Sequence, residues 1–222
     1  RMLRDQLARL GFKTGRQRVR TLMIKMGIEA LCPQPGTSKA HPGNKVYPYL
    51  LRKLKIERAN QVWALDTTYI PMARGFVYLT AVLDVASRRV LAHKVAISLE
   101  ASHAREVIEK AFAKYGTPEI VNTDQGSQFT ATEFTEAVLT KGCQLSMDGR
   151  GAWRDNVFVE RLWRSVKYER VYLRAYDSVA HARIDIADYF DIYNNQRPHS
   201  GIDKATPEEK YFELLPALQK AA

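Results

Sequence analysis

Three runs rich in Trp, Tyr, Thr, Ile, Val and Leu crowd between residues 61 and 96: QVWALDTTYIP (61–71), GFVYLTAVLDV (75–85) and RRVLAHKVA (88–96). Aromatic and β-branched residues suit a half-buried pleated surface. The breaks between the runs are only a few residues long, marked by Gly75 and by the Ala86-Ser87 pair. Connections that short join antiparallel neighbours, because a parallel pair needs a crossover of a dozen residues or more. The core of this chain is therefore expected to open with three antiparallel strands.

Downstream the texture alternates. Residues 100–115 read as helix, 118–123 as a short strand, 131–141 as helix and 142–147 as a fifth strand. Residues 153–170 and 178–194 read as two amphipathic helices. The order βββ-α-β-α-β-α-α places the chain in the α/β class. Its 222 residues, 45% apolar, suffice for one substantial core plus an appendage. No run of 18 apolar residues is present, so no spanning helix and no membrane partner are expected. Cys32 and Cys143 are too few for a disulfide framework and stand in no Cys-x-x-Cys pair, which fits a reducing, cytoplasmic setting. The chain starts at Arg1 rather than Met, which reads as a fragment or processed product.

Charge is unevenly placed. Residues 1–60 carry 14 Lys and Arg against 3 Asp and Glu, whereas residues 61–222 carry 20 against 21. A basic excess confined to one end points to a polyanion, nucleic acid above all. Leu3, Leu7 and Leu10 mark a first helix ended by Gly11. Thr14 can cap a second helix with an apolar stripe of Val19, Leu22, Met23 and Met26; Arg16, Arg18, Arg20 and Lys25 lie off that stripe. The pair reads as a helix-turn-helix offering its second helix to DNA, or as a helical hairpin that is merely basic. Residues 31–60 hold four of the nine prolines and read as an extended basic linker.

Three carboxylates stand out. Asp66 sits mid-strand, where alternation places it opposite Leu65. A carboxylate there is costly unless exposed on an edge strand, paired, or bound to metal. Asp124 ends the fourth strand within VNTDQGSQFT (121–130), either as a turn residue or as a metal ligand at a strand tip. Glu160 lies in RGAWRDNVFVERLWRSVKYER (150–170), off the core stripe of Val159, Leu162, Trp163 and Val166. Asn156, Glu160, Arg164 and Lys167 share another face, so Glu160 either forms a plain i,i+4 ion pair with Arg164 or serves a site. Several carboxylates converging on two divalent ions are what metal-assisted phosphoryl transfer requires, and hard Mg²⁺ or Mn²⁺ prefers their oxygens. Asp84 fits a turn cap better, Asp148 reads as a loop residue, and the five histidines show no ligand spacing. Trp163 on the apolar stripe reads as core packing, while Trp153 is open to either core or DNA stacking.

The stretches VWALDTTYIP, LTAVLDVASRRVLA, VNTDQGSQFT, SMDGRGAWRDNVFVERLWRSVKYE and YNNQRPHSGIDKATPEE run in order from about residue 61 to 211. Together they resemble insertion-sequence transposases of the DDE class, more narrowly the IS-three family, with a retroviral-integrase-like core. RLGFKTGRQRVRTLMIKMGIEA resembles the helical DNA-binding segment that precedes that core. The resemblance implies an RNase H-like fold with a mixed five-stranded sheet and flanking helices, preceded by a small basic helical domain. It implies that Asp66, Asp124 and Glu160 bind two Mg²⁺ or Mn²⁺ ions and that Lys167 contacts DNA, with Gln128 and Asn156 in support. Arg164, Arg16, Arg18 and Arg20 are further expected to touch the DNA backbone.

The expected organisation is a helix-turn-helix-like segment (1–30), a basic linker (31–60), a catalytic core (61–212) and a tail (213–222). The expected function is cleavage and strand transfer at transposon ends into target DNA, by a homo-oligomer on double-stranded DNA in the bacterial cytoplasm, at the nucleoid. A structure-specific nuclease on the same fold, and a DNA-binding remnant without activity, are the alternatives. The family's upstream end-recognition region is expected to lie outside this sequence.

Overall fold

The structure is a computed structural model that describes residues 2–27, 45–149 and 157–216. The chain divides into two compact units, Arg1–Lys39 and Ala40–Ala222.

In the first unit, α1 (Met2–Arg9) and α2 (Arg16–Lys25) are joined through Gly11, whose φ of 88° is left-handed and open chiefly to glycine. Thr14 does not cap α2. The N-cap is Gly15, without a side-chain bond, and the Thr14 hydroxyl is unpartnered among the described residues. The stripe of α2 is not a core face either: no residue of the helix is buried, and Leu22 and Met26 are exposed. A ten-residue helix lacks the length to bury a stripe without a partner. The linker expected over 31–60 lies outside the described residues as far as residue 44.

The second unit is built on a five-stranded sheet of order β3-β2-β1-β4-β5. The strands are β1 (Val62–Pro71), β2 (Phe76–Asp84), β3 (Val90–Ala96), β4 (Ile120–Thr123) and β5 (Gln144–Met147). The first three are antiparallel, whereas β4 and β5 run parallel to β1. Each parallel step is made by a crossover, first through α3 (Ala101–Tyr115), then through α4 (Ser127–Thr130) and α5 (Thr132–Leu139). The strand placed centrally is thus β1, and Asp66 is not on an edge.

Both faces of the sheet are covered. Trp63 and Leu65 of β1 face a cluster that includes Val107, Ile108 and Phe134 of α3 and α5. Val62, Ala64 and Ile70 face the other cluster, formed with α6 (Val157–Glu169) and α7 (Val179–Asn195). Strict alternation along β1 produces the two sets. The stripe of α6 is buried as its spacing predicts: Val159, Leu162, Trp163 and Val166. Burying each such aliphatic side chain contributes about 1.5–3 kcal/mol.

Two helices escape the sequence reading. α4 is a single turn. α8 (Pro207–Leu214) begins with a complete capping box in which Thr206 and Glu209 exchange side-chain bonds, with Pro207 in its first turn. Tyr211 of α8 is buried in the α3/α5 cluster and donates to Asn60 Oδ1 at 3.0 Å.

Candidate active site

Strand register brings the carboxylates together. In the parallel β1–β4 pair, Val62 stands beside Ile120 and Ala64 beside Asn122. Continued by one more same-face step, that register sets Asp124 level with Asp66. The β4–β5 pair sets Thr123 beside Met147, so the next step matches Asp124 with Asp148. Asp124 and Asp148 each follow the last residue of their strands, β4 and β5, on the Asp66 side of the sheet.

Asp66 is fixed by two donors. The Thr67 N–H donates to Oδ1 at 2.7 Å, and the Trp163 indole N–H donates to Oδ2 at 2.8 Å. Trp163 therefore does more than the core packing that its stripe position suggested. Its ring packs while its N–H reaches the carboxylate. Burial raises the Asp66 pKa to about 7 against the lowering pull of the indole bond, and the charges of Asp124 and Glu160 push it the same way. Asp124 and Glu160 thus each stand near enough for their charges to reach Asp66.

Asp124 follows the last residue of β4. Its Oδ1 accepts the Gly126 N–H at 2.9 Å, a local turn that aims the carboxylate. Burial raises its pKa, opposed by that bond. Gly126 has an ordinary φ of −60°, so conformation does not require glycine there. Space does: a Cβ would lie 2.7 Å from Gln128 Nε2 and 2.8 Å from Asp124 Oδ1. Gln128, on α4, is buried against this turn.

Glu160 is exposed in the first turn of α6 and forms no ion pair among the described residues, so the plain Glu160–Arg164 bridge is not made. Lys167 lies two turns further along the same flank, with Arg164 between them. Arg16, Arg18 and Arg20 are exposed on α2 in the other unit. Asn156 and Trp153 lie outside the described residues.

Asp148 is the loop residue that the sequence suggests, just past β5, yet it is not a free one. It is buried and its Oδ1 accepts from Asn122 Nδ2 at 2.9 Å, while Ser146 Oγ donates to Asn122 Oδ1 at 2.7 Å. This polar layer lies beneath the strand tips. Asp84 is a turn cap: Asn60 N–H donates to its Oδ1, and the Ser87 N–H and hydroxyl donate to its Oδ2.

The donors available to an ion are hard carboxylate oxygens, the set that suits Mg²⁺ or Mn²⁺. Among the described residues, no three His, Cys, Asp or Glu side chains are drawn tightly enough to enclose one ion as they stand. The mutual repulsion at Asp66 is what a cation would relieve.

Comparison with known proteins fits this geometry. Two family models, both described as integrase core domain, match residues 56–152 and 141–207. The chain is 31% identical over 216 residues to the transposase for insertion sequence element IS904 of Lactococcus lactis, covering 90% of this chain and 83% of that protein. It is 28% identical over 214 residues to transposase InsF for insertion sequence IS3A of Escherichia coli, covering 93% and 74%. Among solved structures, the simian T-cell lymphotropic virus intasome in complex with PP2A regulatory subunit B56 gamma aligns with a TM-score of 0.63 at 16% identity, over 80% of this chain and 62% of that one. The HTLV-2 integrase catalytic core domain in complex with magnesium aligns with a TM-score of 0.50 at 19% identity, over 68% and 96%. These structural likenesses carry the fold, an integrase-type RNase H-like core.

Proposed function

This chain belongs to the integrase-core transposases of insertion sequences, and from that premise we propose that Asp66, Asp124 and Glu160 form its active site. The protein is a DDE transposase whose reaction is DNA strand cleavage and strand transfer. The observation that carries the site assignment is the convergence of Asp124 and Glu160 on the buried, doubly hydrogen-bonded Asp66, whose pKa both charges raise.

Mg²⁺ or Mn²⁺ would be held by these three residues, and two such ions, when bound, supply charge neutralisation at the attacking and leaving oxygens. The chain's own residues do the positioning. Trp163 and the Thr67 N–H set Asp66; the Gly126 N–H sets Asp124. Water attacks a phosphodiester at the transposon end and frees a 3′-hydroxyl. That hydroxyl attacks a second phosphodiester in line, so no Ser or Tyr nucleophile is used. Lys167 and Arg164, on the flank of Glu160, hold the DNA backbone, and Arg16, Arg18 and Arg20 hold it elsewhere. Affinity then falls steeply with salt. The working form is a homo-oligomer on paired double-stranded ends, with residues 1–30 as a DNA-binding segment and the core over 61–212.

The test compares the chain with Glu160→Gln on a labelled duplex carrying the element's terminal sequence and Mg²⁺ or Mn²⁺. Cleavage and joining by the wild type, both lost in the variant, is the expected result. Cleavage without joining would make the protein a nuclease, and binding without any chemistry would make it a remnant.

A further inference from the structure

An open cleft of about 540 Å³ lies along α6 and reaches Arg164, one turn from Glu160. Its lining includes Arg161, Arg164 and Tyr168 of α6. Arg88 from the β2–β3 turn and Arg197 from the segment after α7 complete it. Four guanidiniums meet there against one carboxylate, Glu169. That carboxylate is already engaged by Arg197 at 2.6 Å and by the Tyr189 hydroxyl at 2.9 Å. Arg88, Arg161 and Arg164 form no ion pair among the described residues.

Arg88 is the least expected of the four. Its backbone φ is 67°, a left-handed conformation that a side chain of this size seldom adopts. Its guanidinium stacks 3.6 Å above the Phe158 ring. Burial lowers its pKa to about 10, against the opposite pull of Tyr193 and Asp84, with a smaller lowering from the Arg161 charge. A part-buried guanidinium in a left-handed turn, offset by the nearby Asp84 charge but without a direct ion pair, gains from an added anion in the cleft. His199 does not add charge. Burial, with Arg197 beside it, pushes its pKa down to about 4, and its ring packs edge-on against Tyr193.

We propose that this cleft seats one DNA backbone phosphate, held by Arg88, Arg161, Arg164 and Arg197, and so sets the register of the strand against the carboxylates. Planar guanidiniums match phosphate oxygens in pairs, and the Phe158 and Tyr168 rings offer stacking surfaces to the attached nucleotide. Glu160 and Arg164 are one helical turn apart, about 6 Å along the axis. One DNA strand rises about 3.4 Å per nucleotide. Arg164 therefore ties the cleft to the proposed active site, with the seated phosphate a few nucleotides from the reacting one. This assignment rests on the proposed active site only for that spacing; the cleft and its charge stand apart from it.

The test is Arg88→Gln/Arg161→Gln in the full chain, with Glu160→Gln present in both binding samples so that no chemistry occurs. Anisotropy titrations on a duplex with the terminal sequence are expected to show the slope of log K against log salt reduced by about one, as for one lost phosphate contact. Methylphosphonates, placed singly along the strand, are expected to weaken binding at one position within a few nucleotides of the cleaved bond. That position costs the double variant nothing further. Equal losses in both proteins at every position overturn the proposal. So does millimolar inorganic phosphate that raises the melting temperature of the chain without the two substitutions, but not of the double variant, while DNA binding by the two is identical, since the ligand is then a free anion. Arg161→Gln alone, at an exposed position, repeats the comparison if the double variant unfolds. A phosphate signature without metal-dependent cleavage by the wild type would sink the active-site assignment alone.

Discussion

The indole Nε1 of Trp163 donates a 2.8 Å hydrogen bond to Oδ2 of Asp66, joining α6 to the middle of β1 across 97 residues of chain. It ties the helix that carries Glu160 to the strand that carries the first aspartate. Trp163→Phe keeps an aromatic ring in the core and deletes the donor. Activity or Mg²⁺ affinity is expected to fall about 10- to 100-fold, the range for groups that orient metal ligands. Steady-state cleavage and a metal titration measure it; full activity would mean that Asp66 does not depend on this bond.

Gly126→Ala places a methyl group between Gln128 and Asp124, 2.7–2.8 Å from both. The backbone there tolerates alanine, so the effect is steric and falls on the carboxylate. Overpacking of this kind costs about 1–3 kcal/mol. A large loss of cleavage with a melting temperature lowered by a few degrees is expected. An active variant would show that the turn relaxes without moving Asp124.

Asp66 makes the metal-free protein pH-sensitive. Its folded pKa, about 7, stands above the ordinary carboxylate value of 3.8, so the folded state holds the proton more tightly. Stability contributed by the protonated form is therefore present below pH 3.8 and is lost as pH rises to about 7. Asp66→Asn removes the dependence. In chelator near pH 8, urea unfolding is expected to find the variant more stable by about 1–3 kcal/mol, with the gap closing near pH 4. Added Mg²⁺ stabilises the wild type and leaves the variant unchanged.

Asp185 anchors the C-terminal helices. Its carboxylate accepts from Arg170 at 2.7 Å and from the buried Tyr176 hydroxyl at 2.7 Å. Burial would raise its pKa, yet these bonds outweigh it and the pKa is lowered. Asp185→Ala leaves a largely buried guanidinium and a hydroxyl without their acceptor. A loss of about 3–5 kcal/mol in chemical denaturation is expected, at neutral pH, where the carboxylate is charged. A change under 1 kcal/mol would mean that water replaces the acceptor.

Local pattern was sufficient for much of the core. The strand runs at 61–96 show in composition because β-branched and aromatic residues cluster there, and the α6 stripe shows because helix spacing places Val159, Leu162, Trp163 and Val166 on one face. Asp66, Asp124 and Glu160 stand out as polar interruptions of those patterns. Thr206 and Glu209 carry a cap signature for α8, but the helix is short and lies among polar residues, so no apolar periodicity marks it.

Other features depend on pairs far apart in the chain. Asp148 is a loop residue as its sequence suggests, but only the fold shows that it is buried against Asn122. A stripe of apolar residues on α2 promised a core face, yet the helix has no buried residue, because burial needs a partner surface that periodicity cannot supply. Gly126 has an ordinary backbone, so only the packed neighbours reveal why a side chain is excluded. By itself the sequence determined the elements, the chemistry of the carboxylates and the family, since these are carried by residue type and local spacing. The tertiary structure alone decided which strand is central, which carboxylates lie level and which arginines share a cleft, because strand register and helix packing join groups with no fixed separation along the chain.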